Sequence, residues 1–303
     1  MTPVNQKVGA SLYATMSITF WGISFVSTKA VLDKLDPFSL LVIRFGIGAL
    51  FLLILILLLK EKLRIPISSI PHLMVLGILG VFVHQVLQAS ALLTIEASSA
   101  GWLISFSPVF TVLLSMFFLH EKMNIRKAFG MILAIFGVLL ITASRGGQSI
   151  GLSLSIGYFF MILSTLNWAI YSILLKKLNL NMSALVVTFY MSMIGFFLTI
   201  PFLTRNRGWE DMGTLTVTEW GHLLFLGVFV SGVAYWYWAK AHSVLKASQV
   251  SMFLYLEPLA TLVAAILLLH EKFIILSVFG GMVIIVGVVF VNGQLPIISN
   301  RRR

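Results

Sequence analysis

The chain has no cysteine. That excludes disulfides, thiolate metal sites and thiol catalysis. Charge is nearly as scarce. Asp, Glu, Lys and Arg make up 10% of the 303 residues, against about 25% in an ordinary soluble domain. Long polar segments are missing too. The longest polar connection, "TRNRGWEDMGTLTVT" at 204–218, is too short to fold by itself. There is no Walker motif, which argues against a primary ATP-driven pump. "GGQSIG" at 146–151 lacks the strand and helix that make a glycine-rich loop a nucleotide site. The two His-Glu-Lys tripeptides are not H-E-x-x-H, because Asn124 and Ile274 stand where the second His would be. No metal, no cofactor and no catalytic set is expected. Nor is nucleic acid a partner, since no basic domain carries the net charge of +11.

What fills the chain instead is apolar. Hydrophobic residues make up 59% and mean hydropathy is +1.02. A helix needs roughly 20 apolar residues to cross a hydrocarbon layer. Ten such runs are found, near 10–32, 38–59, 72–93, 97–119, 126–143, 154–175, 184–203, 219–241, 247–269 and 274–292. The first is too long for a secretory signal, and nine more follow it. Barrel strands would alternate polar and apolar residues, and "LFLLILILLLK" does not. The expectation is an all-α integral membrane protein, multi-pass, in contact with membrane lipid.

Lys and Arg favour cytoplasmic loops. With the N-terminus inside and ten crossings, fourteen of the 21 basic residues fall inside and six outside, with Arg44 left within a span. Both termini are therefore expected in the cytoplasm, with the chain in the cell membrane.

The chain also repeats itself. Residues 107–141 align without gaps to 257–291 with twelve identities, including both His-Glu-Lys tripeptides, Pro108 with Pro258, Gly130 with Gly280 and Gly137 with Gly287. "GVFV" at 80–83 recurs at 227–230, and Ala97-Ser98 recurs as Ala247-Ser248. Trp21 and Lys29 have the spacing of Trp168 and Lys176. Two five-span units result. Five is odd, so the second enters the membrane inverted, an arrangement found in secondary transporters with a midplane site between the halves.

Particular stretches carry a family likeness. They are "FWGISFVSTK", "DPFSLLVIRF", "ASSAGWLISFSPVFTVLLSMFFLHEKMNIRKAFGMILAIFGVLLI" and its second copy "ASQVSMFLYLEPLATLVAAILLLHEKFIILSVFGGMVIIVGVVFV". With them the chain resembles the EamA-like family of the drug/metabolite transporter superfamily over essentially its whole length. His120 and His270 stand where the family often has Gly. The resemblance implies one repeat over 8–145 (helices 1–5) and a second over 152–294 (helices 6–10). It also implies a cavity framed by the first four helices of each repeat. The implied activity is export of small metabolites such as amino acids by alternating access.

Ionisable and polar groups inside spans are functional candidates by default. Glu257, just before Pro258, is the candidate for coupling transport to an ion; its bland reading is a carboxyl bonded to a neighbouring helix. Pro258 is expected to kink span 9. Arg44 offers a fork for a substrate carboxylate, or else snorkels or pairs with Asp33 or Asp36. His84 and Gln88 share a helix face, either as a cavity wall or as glue between helices, with Gln85 beside them. Trp21, Trp102, Trp168, Tyr171 and Tyr255 are candidate wall aromatics, although packing explains any one of them. "YWYWAKAH" at 235–242 is expected in part at the membrane interface. Glu121 and Glu271 are gate candidates, or polar helix stops. Gly130, Gly137, Gly280 and Gly287 suggest a close helix seam and a possible homodimer contact. A membrane-embedded enzyme or lipid-handling protein, and a channel, are the other classes; neither a paired catalytic set nor a ring of charges supports them.

Overall fold

Side chains that a soluble protein would bury point outward here. Leu57, Ile132 and Leu267 are each more than 60% exposed. Serine, threonine and one arginine sit inside. That inversion suits a lipid surround, where apolar atoms need no burial and polar ones do. These features come from a computed structural model, which describes residues 3–107, 109–110, 113–114, 125–143, 155–178, 180, 182–205, 208–245, 250, 252–271 and 274–292.

The helices follow the apolar runs. α1 is Pro3–Leu32 and α2 is Pro37–Leu58. Asp36 caps α2 by accepting from the backbone of Phe38 and Ser39, and Pro37 starts it without wasting a donor. α3 runs over Ile67–Leu92. α4 is Ala97–Ile104, α5 Ile125–Ala143, α6 Ile156–Leu178 and α7 Ala184–Arg205. A five-residue helix, Gly208–Met212, leads into α8. α8 comprises Val217–Leu224, Phe225–Ala234 and Tyr235–Val244 in one continuous rod. α9 is Glu257–Leu269 and α10 is Ile275–Asn292. Among the described residues, five helices are long and apolar enough to cross a membrane: α2, α3, α7, Ile156–Leu175 of α6 and Val217–Ala241 of α8. Shorter apolar stretches occur in α5, α9 and α10.

The two halves interleave. α1 packs on α9 and α8, α3 on α6 and α7, and α2 on α7. α5 and α10 pack against each other. Their glycines explain how closely. A Cβ on Gly137 would lie 2.6 Å from the Gly280 carbonyl oxygen, and one on Gly287 would lie 2.6 Å from the Gly130 carbonyl oxygen. Only glycine permits that approach. The glycine seam is thus occupied within one chain.

Two irregularities repeat with the sequence. Ile78–Val83 of α3 and Phe225–Ala234 of α8 are π-helical. Each contains one copy of "GVFV". A π segment loosens the backbone ladder and leaves carbonyls for side chains. In α3, Asn167 Nδ2 donates to the Leu79 carbonyl at 2.7 Å, and Tyr235 OH donates to the Gly80 carbonyl at 3.3 Å.

The second irregularity lies in the fourth helix of each half. α4 ends at Ile104, with Ser105 and Phe106 in a turn. In the other half, Met252–Leu256 is a 3-10 turn and the α-helix begins at Glu257. The expected kink in span 9 is therefore a break. Pro258 falls in the first turn of α9, where its missing N–H costs nothing.

Candidate functional site

A cavity lies where the repeats meet. It is about 20 Å³ in volume, room for about one water molecule. Its walls come from α1, α3 and α4 of the first repeat and α6, α8 and the α9 start of the second. These are corresponding helices. Trp21 and Trp168 correspond in sequence, and so do Gln88 and Tyr235, all at the 147-residue offset of the "GVFV" pair. The site is thus assembled on the relation between the halves.

Aromatic rings form one side. Trp21 meets Trp168 edge-on with centroids 5.5 Å apart, and Tyr235 at 5.3 Å. Trp168 lies 6.3 Å from Tyr235 and 4.7 Å from the His84 ring. Edge-to-face contact at such distances is favourable for aromatics, so the rings brace one another. The indole N–H of Trp21 is buried without a hydrogen-bond partner among the described residues.

Polar groups form the other side. His84 Nδ1 faces Ser164 Oγ at 2.9 Å and the Ser164 carbonyl at 3.2 Å, which ties α3 to α6. Gln88 and Ser24 complete that wall, with Ser24 Oγ donating to the Trp21 carbonyl at 2.6 Å. Glu257 is 4% exposed and lines the cavity. Its backbone carbonyl accepts from Thr261 at 2.9 Å. Among the described residues its carboxyl has neither a hydrogen bond nor an ion pair. Glu257 is the first residue of α9, directly after the 3-10 turn Met252–Leu256.

Arg44 sits one layer behind. It is 2% exposed. Its Nε donates to Ser231 Oγ at 2.9 Å and its Nη1 to Gln85 Oε1 at 2.8 Å. Gln85 lines the cavity and donates in turn to Tyr235 OH at 3.3 Å. The guanidinium does not snorkel, and it lies outside the cavity wall. Asp36 faces Ser39 and the α2 backbone instead.

Of the other sequence candidates, Tyr171 packs on Trp168 at 5.0 Å and against Gly80, behind the wall. Trp102 is buried against Gly281 of α10, away from the cavity. Tyr255 belongs to the turn before α9, and its side chain lies outside the described residues. Glu121 also lies outside them. "YWYW" divides: Tyr235 and Trp238 are buried, while Lys240 stands 4.0 Å over the Trp236 ring.

Glu271 is at the far end of α9. Its Oε1 accepts from Ala97 N at 2.9 Å, and its Oε2 from Ser98 N at 3.3 Å and Ser98 Oγ at 2.6 Å. Glu96, the N-cap position of α4, makes no side-chain cap bond. A carboxylate from the opposite repeat thus caps this helix, where charge and free N–H groups favour it. Other bonds between the halves gather at the same end. Lys34 pairs with Glu219 at 3.5 Å and donates to the Thr214 carbonyl at 3.3 Å, and His222 Nδ1 meets Ser27 Oγ at 3.2 Å.

Tyr235, Ser24 and Phe25 are wall residues that sequence reasoning did not select as site candidates, whereas Gln85 stands beside His84 and Gln88 in the sequence reading. The 147-residue offset was the available signal: applied to Gln88, it leads to Tyr235.

Comparison with known proteins agrees with this architecture. The model of the EamA-like transporter family matches residues 9–143 and again 155–293. A transporter of Archaeoglobus fulgidus is 29% identical over 279 residues, covering 91% of this chain and 96% of its own. A second from that organism is 30% identical over 285 residues, with 94% and 97% covered. YetK of Bacillus subtilis is 26% identical over 293 residues, with 95% and 88% covered. All three are described as uncharacterized transporters. A solved crystal structure shares the fold, with a TM-score of 0.67 and 19% identity over 93% of this chain and 95% of its own. Two matches to one family model, in tandem and over nearly the whole length, make this chain a member of the EamA-like transporter family.

Proposed function

We propose that the protein is a secondary transporter that exports small amphipathic metabolites, amino acids among them, across the cell membrane by alternating access. The observation that carries this reading is the cavity between corresponding helices of the two repeats, with Trp21 and Trp168 meeting edge-on in its wall. A site built on such a relation has two equivalent ways out. At about 20 Å³ the cavity is too small for a metabolite, so the helices around it must move apart to load. The broken fourth helices and the π segments supply places where they can.

In this reading all ten helices cross, both termini are cytoplasmic, and Glu271 closes the outer mouth. Glu121 would serve the inner mouth as its repeat counterpart. Glu257 would carry the coupling proton, exchanged as the cavity faces each side in turn. Counterflow tests the proposal. Proteoliposomes loaded with an unlabelled amino acid mixture should accumulate labelled amino acid transiently, and the label should be recovered chemically unchanged. Chemical conversion of the label would favour the enzyme reading. Absence of protein-dependent exchange for every amino acid tried would remove the substrate class.

A further inference from the structure

Among the described residues Glu257 is the one carboxyl that lines the cavity, and the sign it carries when ionised selects substrates. We propose that the site recognises the protonated nitrogen of its substrate, with Glu257 as counter-ion and the Trp21, Trp168 and Tyr235 rings as walls, so that amines lacking any carboxylate are ligands. This rests on the transport reading of the same cavity and narrows its substrate class.

Three observations point this way. First, the Glu257 carboxyl is 4% exposed, lines the cavity and has no partner among the described residues. A buried carboxylate without a partner is costly, and a cation entering the cavity removes that cost. Second, Arg44, the guanidinium found behind the wall among the described residues, is already engaged. Arg44 already donates to Ser231 and Gln85 and does not line the cavity. Gln85, which lines the cavity, stands between it and the guanidinium. Third, the rings of Trp21, Trp168 and Tyr235 stand at 68° to 81° to one another. Rings so crossed present faces to a common space when they part. Aromatic faces attract ammonium groups, and cages of them bind alkylated nitrogen. The other groups on the walls do not oppose a cation. Gln85, Gln88 and Ser24 are neutral, and His84 Nδ1 is turned to Ser164.

The test uses matched probes. Purified full-length protein in detergent micelles at pH 7.5 is titrated while its tryptophan fluorescence is followed. The probes are isoamylamine, phenethylamine and tetramethylammonium against 4-methylpentanoate and 3-phenylpropanoate, with leucine and phenylalanine as the parent zwitterions. The expected result is saturable binding of the amines and no binding of the acids up to ten times the amine concentrations. Glu257→Gln should weaken amine binding at least tenfold. Trp168→Leu should weaken it several-fold and Trp168→Phe less, because Phe keeps a ring face. Acids binding as well as amines, amines failing to bind, or unchanged amine binding in a monodisperse Glu257→Gln protein would each overturn the proposal. Binding is read without transport, so the two readings fail separately. Intact amine binding without counterflow defeats only the transporter reading. Counterflow of a metabolite without a protonated nitrogen defeats only this one.

Discussion

Glu257→Gln should abolish uphill transport while exchange survives in weakened form. A proton moving through 100 mV carries about 2.3 kcal/mol. At about 1.4 kcal/mol per tenfold, that sustains a gradient of roughly fiftyfold. Glutamine keeps the size and the oxygen acceptor but cannot exchange a proton. The variant should therefore accumulate nothing when a pH gradient or membrane potential is imposed. Counterflow should persist at raised substrate concentration, since an amide oxygen still accepts a hydrogen bond from an ammonium. Proteoliposomes assayed with and without an imposed gradient make the measurement. Full gradient-driven accumulation by the variant would remove Glu257 from the coupling role. The carboxyl's position supports that role: it stands at a helix restart, in the cavity, with no protein partner among the described residues.

Glu271→Ala should open the outer mouth if this side chain gates it, as proposed. The carboxylate makes three charge-assisted bonds to the α4 start. A capping side chain is worth about 0.5–2 kcal/mol. Glu271 is partly exposed, so a total near 2 kcal/mol suffices as an estimate. Its loss would shift the balance between closed and open states at this end by roughly thirtyfold at about 1.4 kcal/mol per tenfold. The chain contains no cysteine, so one introduced at Ser24 in the cavity wall is a single reporter. A membrane-impermeant thiol reagent added outside should label Ser24→Cys at least tenfold faster when Glu271→Ala is also present. Equal rates would mean that Glu271 is a polar helix end and no gate.

The repeat was the legible part. Trp21 and Trp168, Ala97-Ser98 and Ala247-Ser248, and the two His-Glu-Lys tripeptides are local identities that need no coordinates. They led to the paired units and to Trp21 and Trp168 of the aromatic wall. Arg44 shows where sequence stops. Its depth in "VIRF" suits a ligand anchor or a snorkelling cation equally well. Only the packing of α2 against α8 and α3 shows Ser231 and Gln85 accepting from it. Tyr235 was hidden in a run of four aromatics. Helical phase alone could not say which of them faces inward, because the π segment before it shifts that phase. Pro258 signalled an irregularity but not its kind. A proline reads the same in a kinked helix and in the first turn of a new one.

Glu271 was marked by its repeat, but its partner was not. The residue pairs with the start of the other half's fourth helix. Capping across halves links residues 174 positions apart, beyond any local pattern.

Alternating access makes one demand that other transport modes do not: a mouth held shut must stop exchange. Ser98 Oγ and Glu271 Oε2 are 2.6 Å apart. Ser98→Cys with Glu271→Cys can therefore be bridged by a short bifunctional methanethiosulfonate, which dithiothreitol later cleaves. The decisive measurement is amino acid counterflow in proteoliposomes containing this double variant, before bridging, after it, and after cleavage. Alternating access predicts that exchange falls to the protein-free background on bridging and returns on cleavage. Exchange at an undiminished rate through fully bridged protein would contradict it.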